Sequence, residues 1–284
     1  VLVERAYAKI NLTLDILGKR PDGFHDVDMV MQTVDLSDLI WLEETDGRDI
    51  VVDSTAPHIP LDHRNLAVVA AKVFQQQSGI LRGLHMKIEK HIPVAAGLAG
   101  GSADAAAVLR GLNRLWRTGY SLDELAQMGA SIGSDVPFCV YGGCAVATGR
   151  GENIARVQHE LRAWVVLTRP PVFVSTADVY KATRPEQYAR TVASPKMVHA
   201  LQHCDFAGVR NAYTNALMAT TFRLYPEVEA LYARMTAVTG QPVYMSGSGP
   251  TLFTLFPTRS VAQRTYNALR GFMKEVYLCR FAGL

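Results

Sequence analysis

No run of about 18 apolar residues occurs in this sequence, so nothing in it reads as a membrane span. The four cysteines, Cys139, Cys144, Cys204 and Cys279, form no Cys-x-x-Cys pair. That excludes the common zinc and dithiol motifs and leaves free thiols of a reducing cytoplasm. His199 and His203 stand at helical spacing beside Cys204 and Asp205, but no second ligand cluster joins them, and a solvated helix end accounts for them. Neither sign of charge dominates. The net charge is +3, with the basic residues scattered, which suits a small anionic substrate and is too weak for nucleic acid. Low-complexity tracts and internal repeats are absent. Two familiar phosphate-binding signatures are missing as well: there is no Gly-x-x-x-x-Gly-Lys-Ser/Thr and no Gly-x-Gly-x-x-Gly.

What remains is an ordinary globular composition, 49 % hydrophobic and 19 % charged, over 284 residues, enough for two medium domains. The first residues read as a strand rather than a signal peptide, which places the protein in the cytoplasm. The most informative stretch is Pro93–Ala107. An alternating segment, His85–Ile92, predicts a strand; three glycines in five positions follow, then Asp104–Arg110, rich in helix formers. Ser102 is the predicted N-cap. The first-turn amides of a helix have no internal partners and its dipole favours anions, so loop and helix start make a phosphate cradle. A branched side chain at Gly100 would intrude where backbone meets phosphate. A Gly-rich turn that merely lets helix and strand pack closely would carry the same residues.

Ala6–Leu17 alternates, with Ile10, Leu12, Leu14 and Ile16 on one face and Lys9, Asn11, Thr13 and Asp15 on the other. Thr13 and Asp15 read as solvated, whereas the small residues Ala6 and Ala8 leave room for Lys9 and Asn11 to line a cleft. The turn Arg20-Pro21-Asp22-Gly23 presents Phe24 and His25 side by side. These rings either stack on a flat ligand or anchor the loop in the core. Strands are predicted near Met29–Leu36, Leu39–Glu43 and Ile50–Ser54, and a helix over Asn65–Ser78 closed by Gly79. A capping box at Ser121 and Glu124 starts a further helix. In Gly133–Phe138, Asp135 precedes a predicted strand, Phe138–Tyr141, which forms a hairpin with Ala145–Thr148 about Gly142 and Gly143. Asp135 is either an ordinary turn residue or a carboxylate held at a site. Beyond Arg162, strands and helices alternate to the end, with a second Gly-rich element at Met245–Thr251. The element order argues for an α+β sandwich.

Together the Lys9/Asn11 strand, the Pro93–Ala107 loop and Ser246–Thr251 resemble the three motifs of the GHMP kinases over essentially the whole chain. Within that superfamily, Ala8–Leu12, Arg20–His25 and Ile92–Ser102 look like the branch that acts on a cytidine-diphosphate-linked methylerythritol. The resemblance implies a two-domain α+β fold. An N-terminal ATP-binding domain would span residues 1–156 and a C-terminal, ferredoxin-like substrate domain residues 157–284, with the active site in the cleft between them. It implies ATP-dependent phosphorylation of the tertiary 2-hydroxyl, with Mg²⁺ entering alongside ATP and its protein ligand left open. Asp135 matches the general base, in a Gly-Ser-Asp-Val-Pro segment, and Lys9 its partner. ATP would contact Gly97, Leu98, Ala99, Gly100, Gly101 and Ser102, with Asn65, Lys90, Pro93 and Ala96 around them. The substrate would meet Asn11, Asp135, Gly247, Ser248 and Gly249. Its cytosine would stack between Phe24 and Tyr180 and hydrogen-bond to His25. Two departures stand out: Ser102 is followed by Ala103 where the family often repeats serine, and Phe24 replaces a frequent tyrosine. Loss of Lys9 or Asp135 would have pointed to a catalytically silent nucleotide sensor; both are present. The partners implied are small molecules, with no nucleic acid or membrane, for a monomer or weak homodimer.

Overall fold

The computed structural model describes residues 1–283. Two long antiparallel strands, β1 (Leu2–Lys19) and β2 (His25–Thr45), form the spine of a seven-stranded sheet. On the edge of β2 away from β1, β4 (Gly83–Glu89) pairs with its C-terminal half and carries β3 (Ile50–Ser54), and β5 (Cys144–Gly149) pairs with its N-terminal half and carries β6 (Asn153–Val157). The helices α1 (Leu66–Ser78), α2 (Gly100–Leu115), α3 (Leu122–Ala130) and α4 (Val136–Tyr141) belong to the same half of the chain. α2 presents a face of small residues, Ala103 and Ala105–Ala107, all buried. At Gly111 the helix comes so close to the sheet that a Cβ would stand 2.3 Å from Leu42 Cδ1.

β1 is buried on both sides: Thr13 and Asp15, expected to be wet, are as enclosed as Ile10 and Leu12. Two things explain this. Irregularities in the ladder between Tyr7 and Lys9 and between Asn11 and Thr13 break strict alternation, as β-bulges do. Leu14 consequently lines the same cleft as Lys9 and Asn11, and Thr13 Oγ1 takes the amide of Val30 at 2.8 Å. The second half of the chain then covers the polar face, and Asp15 Oδ2 accepts the Ala193 amide at 2.7 Å.

That second half runs β7 (Trp164–Thr168), α5 (Thr176–Ala182), a 3₁₀ turn (Pro185–Gln187), α6 (Ser194–Gln202) and α7 (Phe206–Ala212). It continues through β8 (Thr214–Asn215), α8 (Met218–Leu224), α9 (Pro226–Thr239), β9 (Tyr244–Met245), β10 (Leu252–Phe256), α10 (Arg259–Arg270) and β11 (Val276–Arg280). Its antiparallel sheet has the order β11-β7-β10-β9, the fourth, first, third and second strands of a split β-α-β arrangement, which is the ferredoxin-like order. The halves interlock. β8 pairs in parallel with β1 at Thr13 and Leu14, and Phe281 bridges Val34.

Most predicted elements form, and three features differ. The strands predicted near Met29–Leu36 and Leu39–Glu43 are one continuous strand, β2. Val136–Tyr141 is a helix, not the first arm of a hairpin, with Pro137 in its first turn, where a missing N–H costs nothing. Gly142 and Gly143, both at positive φ, turn the chain from that helix into β5. The helix predicted to be capped by Ser102 starts three residues earlier, with Ala99 at its N-cap in the left-handed region (φ 58°) and Ser102 inside the first turn.

Candidate active site

Where the two halves meet lies a cleft of about 1090 Å³, much larger than the other cavities of about 480 and about 320 Å³. Three loops build it. The chain leaves β4 and passes through Ala95, Gly97 and Ala99, all with left-handed φ, before α2 begins. Ala103 N–H makes the first intrahelical bond, to Ala99. The amides of Gly100, Gly101 and Ser102 therefore have no partner in the helix, and these three residues line the cleft. Left-handed alanines are uncommon, and two of them flanking Gly97 mark a backbone held in a set shape.

The loop is clasped from two sides. Lys9 N–H donates to Leu98 O at 3.1 Å, and Ser246 Oγ donates to Gly97 O at 2.9 Å while accepting the Asn11 amide at 3.3 Å. Asn215 Nδ2 in turn reaches the carbonyls of Met245 and Gly247, both at 2.9 Å. Gly247 and Ser248 line the cleft; Gly249 does not, and its amide closes the turn onto Ser246 O.

Above this cradle lies the charged pair. Lys9 is 4 % exposed; its ammonium donates to Asn11 Oδ1 at 2.8 Å and lies 3.4 Å from Asp135 Oδ2. A lysine has three N–H donors, so one is left beyond these two contacts. Asp135 occupies the N-cap position of α4 but makes no capping bond with its side chain, leaving its carboxylate oriented by Lys9 alone. The cleft also draws in Lys19, Arg150 and Lys181, against the single carboxylate of Asp135. That balance favours an anionic ligand. Sequence reasoning missed these three cations, since none of them belongs to a motif: Lys19 ends β1, Arg150 stands in a turn and Lys181 in α5.

At the far end, Phe24 is 53 % exposed and the Arg150 guanidinium lies over its ring, 5.2 Å from the centroid. His25 is 8 % exposed, tilted against Tyr180 at 5.3 Å and edge-on to Tyr188 at 6.0 Å. Burial, with Lys19 adding to it, lowers the His25 pKa, so its ring is neutral at pH 7. Burial and the nearby Asp135 push the Tyr180 phenol up, keeping it a hydrogen-bond donor. Tyr188 is a fourth residue of the cleft that no motif signalled.

Four residues expected to touch ATP stand outside the cleft lining. Asn65 caps α1, accepting from Ala67 N–H at 2.9 Å and donating to Pro60 O at 2.8 Å, which satisfies both ends of its amide. Leu98 is buried in the core, and Pro93 lies before the loop bends into the cleft. Lys90 is turned away from the cleft. Its ammonium is enclosed with the carboxylates of Asp38 and Asp104, and Asp38 Oδ1 also accepts the amides of His91 and Ile92. Gly100 lines the cleft with its backbone, but a Cβ there would point away from it, meeting Ile92 Cγ2 at 3.2 Å and Lys90 Nζ at 3.4 Å.

One ammonium cannot balance two buried carboxylates. Asp38 has both oxygens partnered, by Lys90 and by the two backbone amides. Asp104 Oδ1 is buried without a partner; burial, opposed by Lys90 and reinforced by Asp38, pushes its pKa up to about 8. The cluster ties β2, the end of β4 and the first turn of α2 together beneath the cradle. Lys90→Met should therefore cost about 3–5 kcal/mol of stability, read as a lowered urea midpoint at pH 7, with part of the loss recovered by adding Asp104→Asn. A loss below about 1 kcal/mol would show that the ammonium is dispensable.

Metal ligands are sparse: among the described residues no group of three or more His, Cys, Asp or Glu side chains is placed to hold an ion. Nor does any helix among them have the length and apolar character to cross a membrane.

The family model for the GHMP kinases N terminal domain matches residues 65–143, and that for the GHMP kinases C terminal matches residues 197–275. A 4-diphosphocytidyl-2-C-methyl-D-erythritol kinase of Bacillus pumilus (strain SAFR-032) is 49 % identical over 286 residues, covering 99 % of this chain and 97 % of that protein. The like-named protein of Brevibacillus brevis (strain 47 / JCM 6285 / NBRC 100599) is also 49 % identical, over 279 residues, covering 98 % of this chain and 96 % of its own. A crystal structure of a 4-(cytidine 5'-diphospho)-2C-methyl-D-erythritol kinase superposes with a TM-score of 0.83 at 31 % identity, covering 100 % of both chains. This chain belongs to the GHMP kinases, within the family of 4-diphosphocytidyl-2-C-methyl-D-erythritol kinases.

Proposed function

We propose that this protein transfers the γ-phosphoryl group of ATP to the 2-hydroxyl of 4-diphosphocytidyl-2-C-methyl-D-erythritol, giving the 2-phosphate, in the non-mevalonate route to isoprenoid precursors. The observation that carries the reading is the Lys9–Asp135 pair at 3.4 Å, in one cleft with the unpartnered amides that open α2. Residues 1–156 would form the ATP-binding domain, and residues 157–284 the substrate domain that closes the cleft with Tyr180, Gly247 and Ser248.

Phosphoryl transfer asks for in-line positioning and neutralised charge more than for covalent chemistry. The amides of Gly100, Gly101 and Ser102 suit the phosphate oxygens of ATP, at the positive end of a 16-residue helix. Asp135 accepts the proton of the tertiary hydroxyl as attack proceeds, which a poor nucleophile needs. Lys9 holds that carboxylate in place and offsets negative charge on the attacking and transferred oxygens. A Mg²⁺ ion accompanying ATP would supply further neutralisation. With no carboxylate cluster among the described residues, it would be held mainly by phosphate oxygens and water. Of the oxygen-bearing side chains lining the cleft, Ser102 stands in the cradle itself and Asp135 is the one carboxylate.

Phe24, His25 and Tyr180 argue for a substrate carrying a heterocycle, because neither mevalonate nor homoserine has a ring to stack. Lys19, Arg150 and Lys181 suit its diphosphate. A coupled assay of ADP release should show turnover with the cytidine substrate and none above background with mevalonate or homoserine; the reverse ranking would move the protein to another kinase of the superfamily. In the same assay Phe24→Ala and Tyr180→Ala should each cost about 1–3 kcal/mol of substrate affinity. That cost should raise KM more than it lowers kcat, since stacking far from the reacting hydroxyl is equal in ground and transition states. An effect on kcat alone would remove these rings from the binding role.

A further inference from the structure

Tyr188 stands in the connection between α5 and α6, just past the 3₁₀ turn, and lines the cleft. Its ring meets His25 edge-on, at 6.0 Å and 78°, while Tyr180 lies against the same imidazole at 5.3 Å and 37°. A functional imidazole is usually oriented by a hydrogen bond from one ring nitrogen, which leaves the other for the ligand. His25 has no such bond to another described residue, so packing between two tyrosines is what orients it. The segment bearing Tyr188 is itself tied down. Ala189 N–H donates to Ile16 O at 2.8 Å, Ala193 N–H to Asp15 Oδ2 at 2.7 Å, and Gln187 links Thr220, Arg184 and Ala216.

We propose that Tyr188 is a positioning residue for substrate recognition: its ring fixes the His25 imidazole and shields it from water, so that a ring nitrogen meets the polar edge of the pyrimidine. The proposal rests on the cytidine reading of the cleft. Stacking is tolerant of base identity, so discrimination among bases falls to edge contacts, and an edge contact discriminates only when its donor or acceptor is held in place. The groups facing His25 are Lys19, paired with it across the β1–β2 ladder, Tyr180 from α5 and Tyr188 itself. Burial is the first cause of the lowered His25 pKa and Lys19 the second. Removing the Tyr188 ring admits water and should move the midpoint up toward the ordinary value of about 6.5.

The test uses the full chain with Tyr188→Leu, Tyr188→Phe, His25→Ala and the His25→Ala/Tyr188→Leu double variant. Steady-state kinetics on the cytidine substrate are combined with NMR titration of the His25 imidazole. Tyr188→Leu should raise KM about 10-fold with little change in kcat, and should raise the His25 midpoint. Tyr188→Phe, which keeps the ring, should match the parent protein in both. The double variant should be no worse than His25→Ala, because the two residues act through one contact. If His25→Ala raises KM and Tyr188→Leu changes neither KM nor the midpoint, the proposal is overturned. It is also overturned if Tyr188→Phe is as impaired as Tyr188→Leu, since the hydroxyl would then be the working group. If His25→Ala leaves KM unchanged, the cytidine reading itself falls, and the recognition role of Tyr188 falls with it.

Discussion

Asp135→Asn should lower kcat by about 10²–10⁴-fold while KM for ATP and for the cytidine substrate stays within a few-fold. The substitution keeps shape and removes the proton acceptor. The protein should fold normally, because the Asp135 side chain caps nothing and its one charged contact is Lys9; the helix bond from Cys139 N–H goes to its backbone carbonyl. Lys9→Met should slow turnover too. Lys9 and Asp135 touch, so the double variant should be far less impaired than the product of the single effects. Full multiplicativity would mean that the two residues serve separate steps. Steady-state rates with thermal unfolding as a control decide it, and an Asp135→Asn enzyme within about tenfold of the parent would show that the reaction needs no base here.

Sequence patterns revealed this fold wherever a local signal and the tertiary structure agree. The left-handed Gly79 closes α1 as read, with Asn65 serving as its cap, and the Ser121–Glu124 box opens α3. At Val136–Tyr141 the signals conflict. Val, Phe and Tyr favour strands, yet a proline suits a first helical turn, and packing settled a weak preference. In β1 the alternation was real, but the irregular register hid which residues share a face, a matter of pairing between strands and not of sequence period. The candidate site was legible in the same uneven way. Lys9, Asn11, Asp135 and the glycine loop converge on one cleft, because motifs encode backbone shapes and charge pairs. Lys19, Arg150, Lys181 and Tyr188 carry no spacing of their own and reach the cleft only through tertiary folding. Lys90 illustrates the converse. It adjoins the loop in sequence, yet faces Asp38 and Asp104 beneath it.

Gly97→Val should lower kcat/KM for both substrates by about 10²-fold or more, the scale of an ångström-sized misplacement of reacting groups. Gly97 has φ +73°, where a branched side chain is strained. A Cβ there would stand 2.4 Å from Ser246 O and 3.0 Å from Gly249 O, both backbone atoms that cannot swing aside. Either the phosphate loop or the 246–249 turn must move, and neither moves alone. Ser246 Oγ joins Gly97 O to the Asn11 amide, and Lys9 N–H holds Leu98 O, so a shift of the loop carries the Lys9–Asp135 geometry with it. Gly100→Ala is the matched control. Its φ is not in the left-handed region, and its Cβ would meet the ends of two side chains, Ile92 Cγ2 and Lys90 Nζ, which can yield by a few tenths of an ångström. It should keep most activity, whereas Gly97→Val loses ATP affinity and turnover together with the fold retained by circular dichroism. Equal losses at the two glycines would mean that loop flexibility matters in general. A nearly normal Gly97→Val would show that the docking of the two Gly-rich loops is not what shapes the phosphate site.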